Sequence, residues 1–503
     1  MVRNNKLNVI AKGAIIVFTG IMISKVFSYL YRMLIARYLG PEQYGTLMIG
    51  ISIISFATFF SLLGLDTGVT RYVAYFKGKD DRARIKGVIT SSLKIVFVIS
   101  TAISAILILT RDFLATRIFH TSYLADIILI LALTIPFTAL GFIISAIFRA
   151  FQSVKYEVYS KQIIENFMKF FVTVIFIILG YRVLGAAIAY LAAVVTAFLL
   201  AVYFLEKKVF SIFKAPEKSI RSNLELIGYS FPLLFVGFFT MLMQLTDTLM
   251  LGSLRTAKET GIYNTAFPIA DLMFVVPAAL VAILMPVMTE LYSQKKKSHL
   301  NTVFDVTRRW IIYFNIPVLI FLISSPDKLI RFLFGAQYLE ATNTLVILSF
   351  GGFLLGISLS YNEMLKMLKK TNLILLNSGV AAIVNIALNY FLISRYDIEG
   401  AAIATMLSWT VFTIITMLEV KHLTKARILD IEQIKAILCG ITAIIIISVF
   451  SAIIKLNIPL LVSLVLNAII LAITYFGTLW LFSTFGKEDK EIYNKIKNKI
   501  FRV

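Results

Sequence analysis

Charge is scarce in this chain. Asp, Glu, Lys and Arg make up 15% of its 503 residues, against about 25% in a water-soluble domain. The one cysteine, Cys439, excludes an intrachain disulfide and any cysteine-rich zinc or iron–sulfur site. The three histidines, His120, His299 and His422, lie far apart and outside the apolar runs, and no HExxH spacing occurs, so no metal site is expected. The absence of a GxxxxGK[ST] loop excludes an ATP motor of that kind. With Gly 25 and Pro 10, the chain is neither low-complexity nor collagen-like. What it has in excess is apolar residues, 59% of the total. That composition defines an integral membrane protein.

A membrane-crossing helix takes roughly 20 mostly apolar residues. Fourteen stretches qualify: 13–36, 44–65, 88–110, 123–148, 163–181, 184–205, 224–250, 262–291, 310–325, 340–364, 372–394, 399–420, 434–454 and 459–484. The ninth is the shortest and weakest. The first is too long for a signal peptide, is interrupted by Lys25 and Arg32, and is followed by no small-x-small site, so it reads as a retained span. Lys and Arg concentrate in alternate gaps and at both ends, with six of them (Arg71, Lys77, Lys79, Arg82, Arg84, Lys86) in 67–87 alone. No gap of the other set holds more than two. The positive-inside rule then places both termini in the cytoplasm and the protein in the cell (plasma or inner) membrane. The net charge of +22 is explained by basic loops facing an anionic inner leaflet, with no nucleic-acid partner. The tail, with Ile492, Ile496 and Ile500 one turn apart among lysines, reads as a basic amphipathic helix on that surface.

A weak repeat runs through the chain. Gly185-Ala-Ala-Ile-Ala189 recurs as Gly400-Ala-Ala-Ile-Ala404, and Gly45 after the first span matches Gly261 after the seventh. An even number of spans per repeat gives both halves one orientation, related by a pseudo-two-fold axis along the membrane normal. Parallel repeats of this kind mark transporters. The expected organisation is all-α: an N-lobe of six helices (1–210), a C-lobe of six (211–425), two added helices (426–484) and a cytoplasmic tail (485–503).

Several stretches carry a family resemblance. The first span and its exit contain Ser24-Lys25, Arg32, and Ala36-Arg37-x-Leu39-Gly40-Pro41-x-x-Tyr44-Gly45. Leu65-Asp66 precedes Arg71-Tyr72-Val73-Ala74, and Thr246-Asp247-Thr248-Leu249-Met250-Leu251-Gly252 forms a third stretch. Asn385-x-x-x-Asn389 leads to Tyr396-x-Ile-x-Gly-Ala-Ala-Ile-Ala-Thr405. Across the twelve-helix core the chain resembles polysaccharide-repeat-unit flippases of the multidrug/oligosaccharidyl-lipid/polysaccharide exporter superfamily. The resemblance implies two six-helix lobes opening alternately to each side, and a lipid-linked oligosaccharide moved from the inner to the outer leaflet. Glycan polymerases or transferases are the partners it implies.

A Lys or Arg at bilayer centre costs roughly 2.5–3.5 kcal/mol by insertion scales, so such residues are functional candidates. Lys25 lies about 16 Å deep at 1.5 Å per residue, too far for its stem to reach either surface. Arg32, seven residues on, shares its helix face, with Ser28 and Tyr29 between. A carrier pyrophosphate is anionic, and guanidinium forks suit its oxygens. Lys25 and Arg32 are therefore expected to receive it, with Lys94 and Lys169 as secondary candidates. Lys94 is also placed to reach the inner surface, and Lys169 to pair with Glu165 at the favourable i, i+4 spacing. Asp66 and Arg71 are read as an inner-gate clamp. Asp247 and Asp271 are read as sites for a coupling Na⁺ or H⁺. Pro268, Pro277 and Pro286 are expected to bend or break the eighth span near Asp271. Asn385 and Asn389 read as interhelical glue.

Two alternatives share the fold: a peptidoglycan-precursor flippase and a cation-coupled multidrug antiporter, which favours acidic cavity residues. A membrane-embedded glycosyltransferase would want a large outer loop with paired acids, and the outer loops here are short.

Overall fold

The computed structural model describes residues 2–212, 223–425, 430–453 and 459–482. The expected basic tail 485–503 lies outside the described residues, as does most of the connection at 206–222. Among the described residues every regular element is helical, and ten helices are long and apolar enough to cross a membrane. Large apolar side chains stand outward on them, including Leu109, Ile178, Ile473 and Trp480. A soluble protein does not expose apolar surface on this scale; a bilayer covers it. The chain is a multi-pass membrane protein. It divides into two compact units, Met1–Gly261 and Ile262–Val503.

In the first unit, α1 (Val2–Leu62) is two helices joined at Gly40, whose φ of 75° and ψ of 170° are not helical. Pro41 follows, and a residue before proline is pushed out of the helical region; glycine accepts the positive φ. The chain next turns at Leu63 and Gly64, both at positive φ, into α2 (Leu65–Gly78). This corrects one expectation. Residues 67–78 are not loop but a second helical segment continuing past the break. α3 (Arg82–Phe113) starts at an Asp81 cap that accepts from the Arg84 N–H at 3.0 Å. Then come α4 (Leu124–Ala132), α5 (Thr134–Ala150) and α6 (Val154–Glu157). A π-helical segment, Val158–Ile164, runs into α7 (Glu165–Ile178), followed by α8 (Val183–Phe204) and α9 (Asn223–Leu254).

The missing side chains of Gly64 and Gly68 let α9 approach α2. A Cβ on Gly64 would strike the carbonyl of Ser230, and one on Gly68 its hydroxyl. Small residues four apart bring membrane helices together in this way. Gly45 and Gly261 make a second close approach. A Cβ on Gly45 would meet the Ala257 carbonyl, and a Cβ on Gly261 the Pro41 carbonyl. Pro41 and Ala257 stand four residues before Gly45 and Gly261 respectively, so the contact is reciprocal.

α10 (Ala257–Ala270) leads into the second unit. A 3₁₀ turn, Asp271–Phe274, separates it from α11 (Val275–Ser293). The expected break thus falls beside Asp271, between Pro268 and Pro277. α12 spans Lys297–Ser324. The expected ninth span, 310–325, is only its apolar second half; the polar first half is helical too. α13 (Pro326–Leu333), α14 (Thr342–Met367) and α15 (Thr371–Thr424) follow. α15 breaks at Tyr396 (φ −130°) and Asp397 (φ 50°). α16 (Ile431–Ile453) and α17 (Leu460–Leu481) pack on α12 through Ile312, Ile316 and Ile320 against Cys439, Leu471 and Tyr475. Asn467 donates to the Ser325 hydroxyl at 2.8 Å, and Lys328 donates to that of Ser463 at 2.9 Å.

Candidate functional site

The first unit carries an open cavity of about 700 Å³, within the range of about 300–1,000 Å³ of small-molecule sites. Its walls come from α1, α2, α5, the π-helical segment, α7, α8 and α9. The break at Leu63–Gly64 turns Asp66 and Thr67 into it, and Gly237 on α9 packs against Phe59 at its edge. Most of the lining is apolar. The polar lining is Ser55, Thr58, Asp66, Thr67, Thr138, Lys161, Glu165, Tyr190 and Gln244. Thr58 is buried, and its hydroxyl has no hydrogen-bond partner among the described residues.

The charged wall is built at four-residue spacing. Glu157, Lys161, Glu165 and Lys169 follow one another along α6, the π-helical segment and α7. Lys169 donates to Glu165 at 2.7 Å and lies over the Tyr190 ring, 4.2 Å from its centroid. Arg149 donates to Glu157 at 2.6 Å. Lys161 sits over the ring of Phe142. A π-helical segment inside a longer helix is frequent at functional sites.

The expected site residues separate. Lys169 pairs with Glu165, a cavity-lining residue, but does not itself line the cavity. Arg32 is half-buried beside the hydroxyl of Tyr44. Lys25 is exposed on α1 and Lys94 exposed on α3, and neither lines the cavity. The neighbouring Ser24 accepts from the Asn166 amide at 3.0 Å, tying α1 to α7. Asp66 does face the cavity. Arg71, the other half of the expected clamp, does not line the cavity. Five residues on one helix put the two side chains about 140° apart, and Arg71 is exposed, over the ring of Tyr72.

Asp247 is buried in α9 of the first unit, and Asp271 opens the 3₁₀ turn of the second, half-buried. No cluster of three or more His, Cys, Asp or Glu suited to a metal occurs among the described residues. Asn385 donates to Thr405 at 3.0 Å and Asn389 to Asn385 at 3.1 Å, a buried chain joining the two halves of α15.

Sequence reasoning passed over Lys161, because 149–162 reads as an inner loop. The signal was present in the alternating acid–base spacing of residues 157 to 169, which continues helical periodicity through that gap.

The fold and cavity define a polytopic membrane protein with a chamber whose largely apolar wall carries a few polar and charged groups. The chain belongs to the polysaccharide biosynthesis protein family, whose model matches residues 10–292; residues 232–391 also match the MatE family. It is 23% identical over 95% of its length, and 95% of the relative's, to an uncharacterized membrane protein, MJ1068, of Methanocaldococcus jannaschii. It is 24% identical over 42% of its length, and 44% of the relative's, to the probable low-salt glycan biosynthesis flippase Agl15 of Haloferax volcanii. It shares its fold with the inward-closed structure of the lipid II flippase MurJ, at a TM-score of 0.75 and 16% identity, covering 93% of this chain and 98% of that one.

Proposed function

We propose that this protein is a secondary transporter that flips polyprenyl- or dolichyl-(pyro)phosphate-linked oligosaccharides from the inner to the outer leaflet for glycan export. The observation that carries this reading is the cavity of about 700 Å³. Its polar lining of both charge signs, inside a membrane-spanning unit, suits a headgroup that combines phosphate with sugar hydroxyls. Membership of the family and likeness to a named glycan flippase support it.

In this reading fourteen helices cross the membrane, the merged helices α1 and α15 each counting as two because they break at Gly40 and at Tyr396–Asp397. Two six-helix lobes related by a pseudo-two-fold axis alternate between inward- and outward-open states, and the reciprocal Gly45–Gly261 contact supports that symmetry. Both termini are cytoplasmic, and the protein sits in the cell membrane. Arg32 and Lys25, on one face of the first helix, guide the pyrophosphate; Lys169 acts through Glu165. Asp247 or Asp271 binds a coupling Na⁺ or H⁺, and the carbonyls at the Asp271–Phe274 break suit such an ion. No covalent chemistry takes place; the work is a population shift between two states.

The test is a strain lacking the gene. Complete lipid-linked repeat units accumulating on the inner leaflet, with surface glycan lost, support the proposal. The MatE match favours a second reading, a cation-coupled multidrug antiporter. Unchanged lipid-linked glycans with new sensitivity to cationic drugs would select that one.

A further inference from the structure

We infer that Lys161 is the anion-binding residue of the cavity, and that Lys169 keeps it available by holding Glu165. The inference rests on the flippase reading and names the group that receives the carrier's pyrophosphate inside the chamber. Three cations and two acids share this wall. Glu157 is taken by Arg149 at 2.6 Å and Glu165 by Lys169 at 2.7 Å. Those two acids flank Lys161 at i−4 and i+4, the positions from which a helix neutralises a lysine. Both are engaged elsewhere. Among the described residues the Lys161 ammonium makes no hydrogen bond or ion pair; its contact is the face of Phe142.

An ammonium carries three donors and no acceptor. Inside an apolar shell, such a group gains most from an anionic ligand that supplies several oxygens. A pyrophosphate does so. Asp66 lines the same cavity from another helix and accepts hydrogen bonds, as do Thr58 and Gln244. The chamber therefore presents a donor for phosphate and acceptors for sugar hydroxyls, matching a lipid-linked glycosyl pyrophosphate. Lys169 is a positioning residue in this scheme. Without it, Glu165 turns one helical turn back and neutralises Lys161.

The test is binding of radiolabelled farnesyl pyrophosphate to the full chain in lipid nanodiscs, with farnesol as the uncharged control. Wild type should prefer the pyrophosphate. Lys161→Gln should weaken its binding at least tenfold and leave farnesol unchanged, and Lys161→Arg should retain it. Lys169→Gln should weaken it about threefold or more, and Lys169→Gln combined with Glu165→Gln should restore it, an effect that mere loss of packing does not produce. Melting curves of each variant identify any that fail to fold; the Lys169 pair then carries the test. Wild-type binding of pyrophosphate with no loss in Lys161→Gln would overturn this inference alone. A wild type indifferent to the pyrophosphate would overturn it together with the flippase reading. Equal competition by inorganic pyrophosphate would overturn the lipid-linked source of the anion.

Discussion

The Arg308 cluster of the second unit and the cavity of the first arrange their polar groups in opposite ways. In the cluster polar groups bind one another. Arg308, fully buried on α12, donates to the Tyr361 hydroxyl at 2.8 Å and to Asp305 at 2.5 Å, and stacks on Phe304. Asp430, at the start of α16, approaches the same guanidinium at 3.7 Å. Asn377 donates to Glu419 at 2.7 Å. Asn315, Thr344 and Tyr475 are exceptions: each is buried with a side-chain polar atom that has no hydrogen-bond partner among the described residues. In the first unit Asp66, Lys161, Thr58 and Gln244 instead face an open chamber. The contrast separates two uses of costly groups in a membrane. Closed networks join helices; open valences await a ligand. A list of intramembrane charges does not distinguish the two, because cost is common to both.

The largest expected effect lies in the closed network. Arg308→Leu leaves Asp305, Asp430 and Tyr361 without their shared donor. Removing one partner from a buried charge pair costs about 3–5 kcal/mol, so the variant should lose much of its melting temperature and its yield of monodisperse protein. If it melts like wild type, the second unit is not held by this cluster, and the contrast with the first fails.

Next comes the open chamber. Asp66→Asn removes a charged acceptor from the cavity and breaks no side-chain hydrogen bond or ion pair among the described residues. A hydrogen bond to a charged group is worth about 1.5–3 kcal/mol, so transport should fall at least tenfold while the melting temperature stays put. Leaflet-resolved extraction of lipid-linked glycans checks the first, and thermal unfolding the second. Loss of stability without loss of transport would move Asp66 into the structural class.

How far the sequence revealed this division depends on the element. The apolar runs located most of the long helices, because desolvation leaves little choice about which segments enter a bilayer. Pro268 with Pro277 located one break, because proline limits backbone dihedrals by itself. The break at Leu63–Gly64 was not visible. Nothing local forces it, and it is accommodated where α9 packs on Gly64 and Gly68. The polar start of α12 stayed hidden for a similar reason. It is helical because Arg308 finds partners on α14 and before α16, contacts remote in sequence. Lys161 was hidden by an assumption that basic residues between apolar runs belong to loops.

A smaller effect is expected from the glue. Asn385→Ala removes the bond to Thr405 and leaves Asn389 to reorganise. Polar bonds between membrane helices average about 0.6 kcal/mol and reach about 1.7, so the melting temperature should drop by a few degrees, with transport reduced less than in Asp66→Asn. A drop in transport larger than that of Asp66→Asn would show that this pair does more than join the halves of α15.

The smallest effect separates depth from placement. Lys94 lies within an apolar run, and on the cost of burying a charge alone it ranks beside Lys169 as a candidate. The structure puts it on the exposed face of α3, while the buried residues Ser91, Ser92 and Val96 of that helix face the protein. An exposed lysine runs its stem along apolar surface and sends its ammonium toward the headgroups. Lys94→Gln should therefore change neither transport nor melting temperature measurably, whereas Lys161→Gln, an equal loss of one positive charge, should cost at least tenfold in pyrophosphate binding. If the two variants behave alike in the nanodisc titration, general electrostatic attraction of the anion by the basic protein accounts for both. The arrangement of acids around Lys161 would then have no part in recognition.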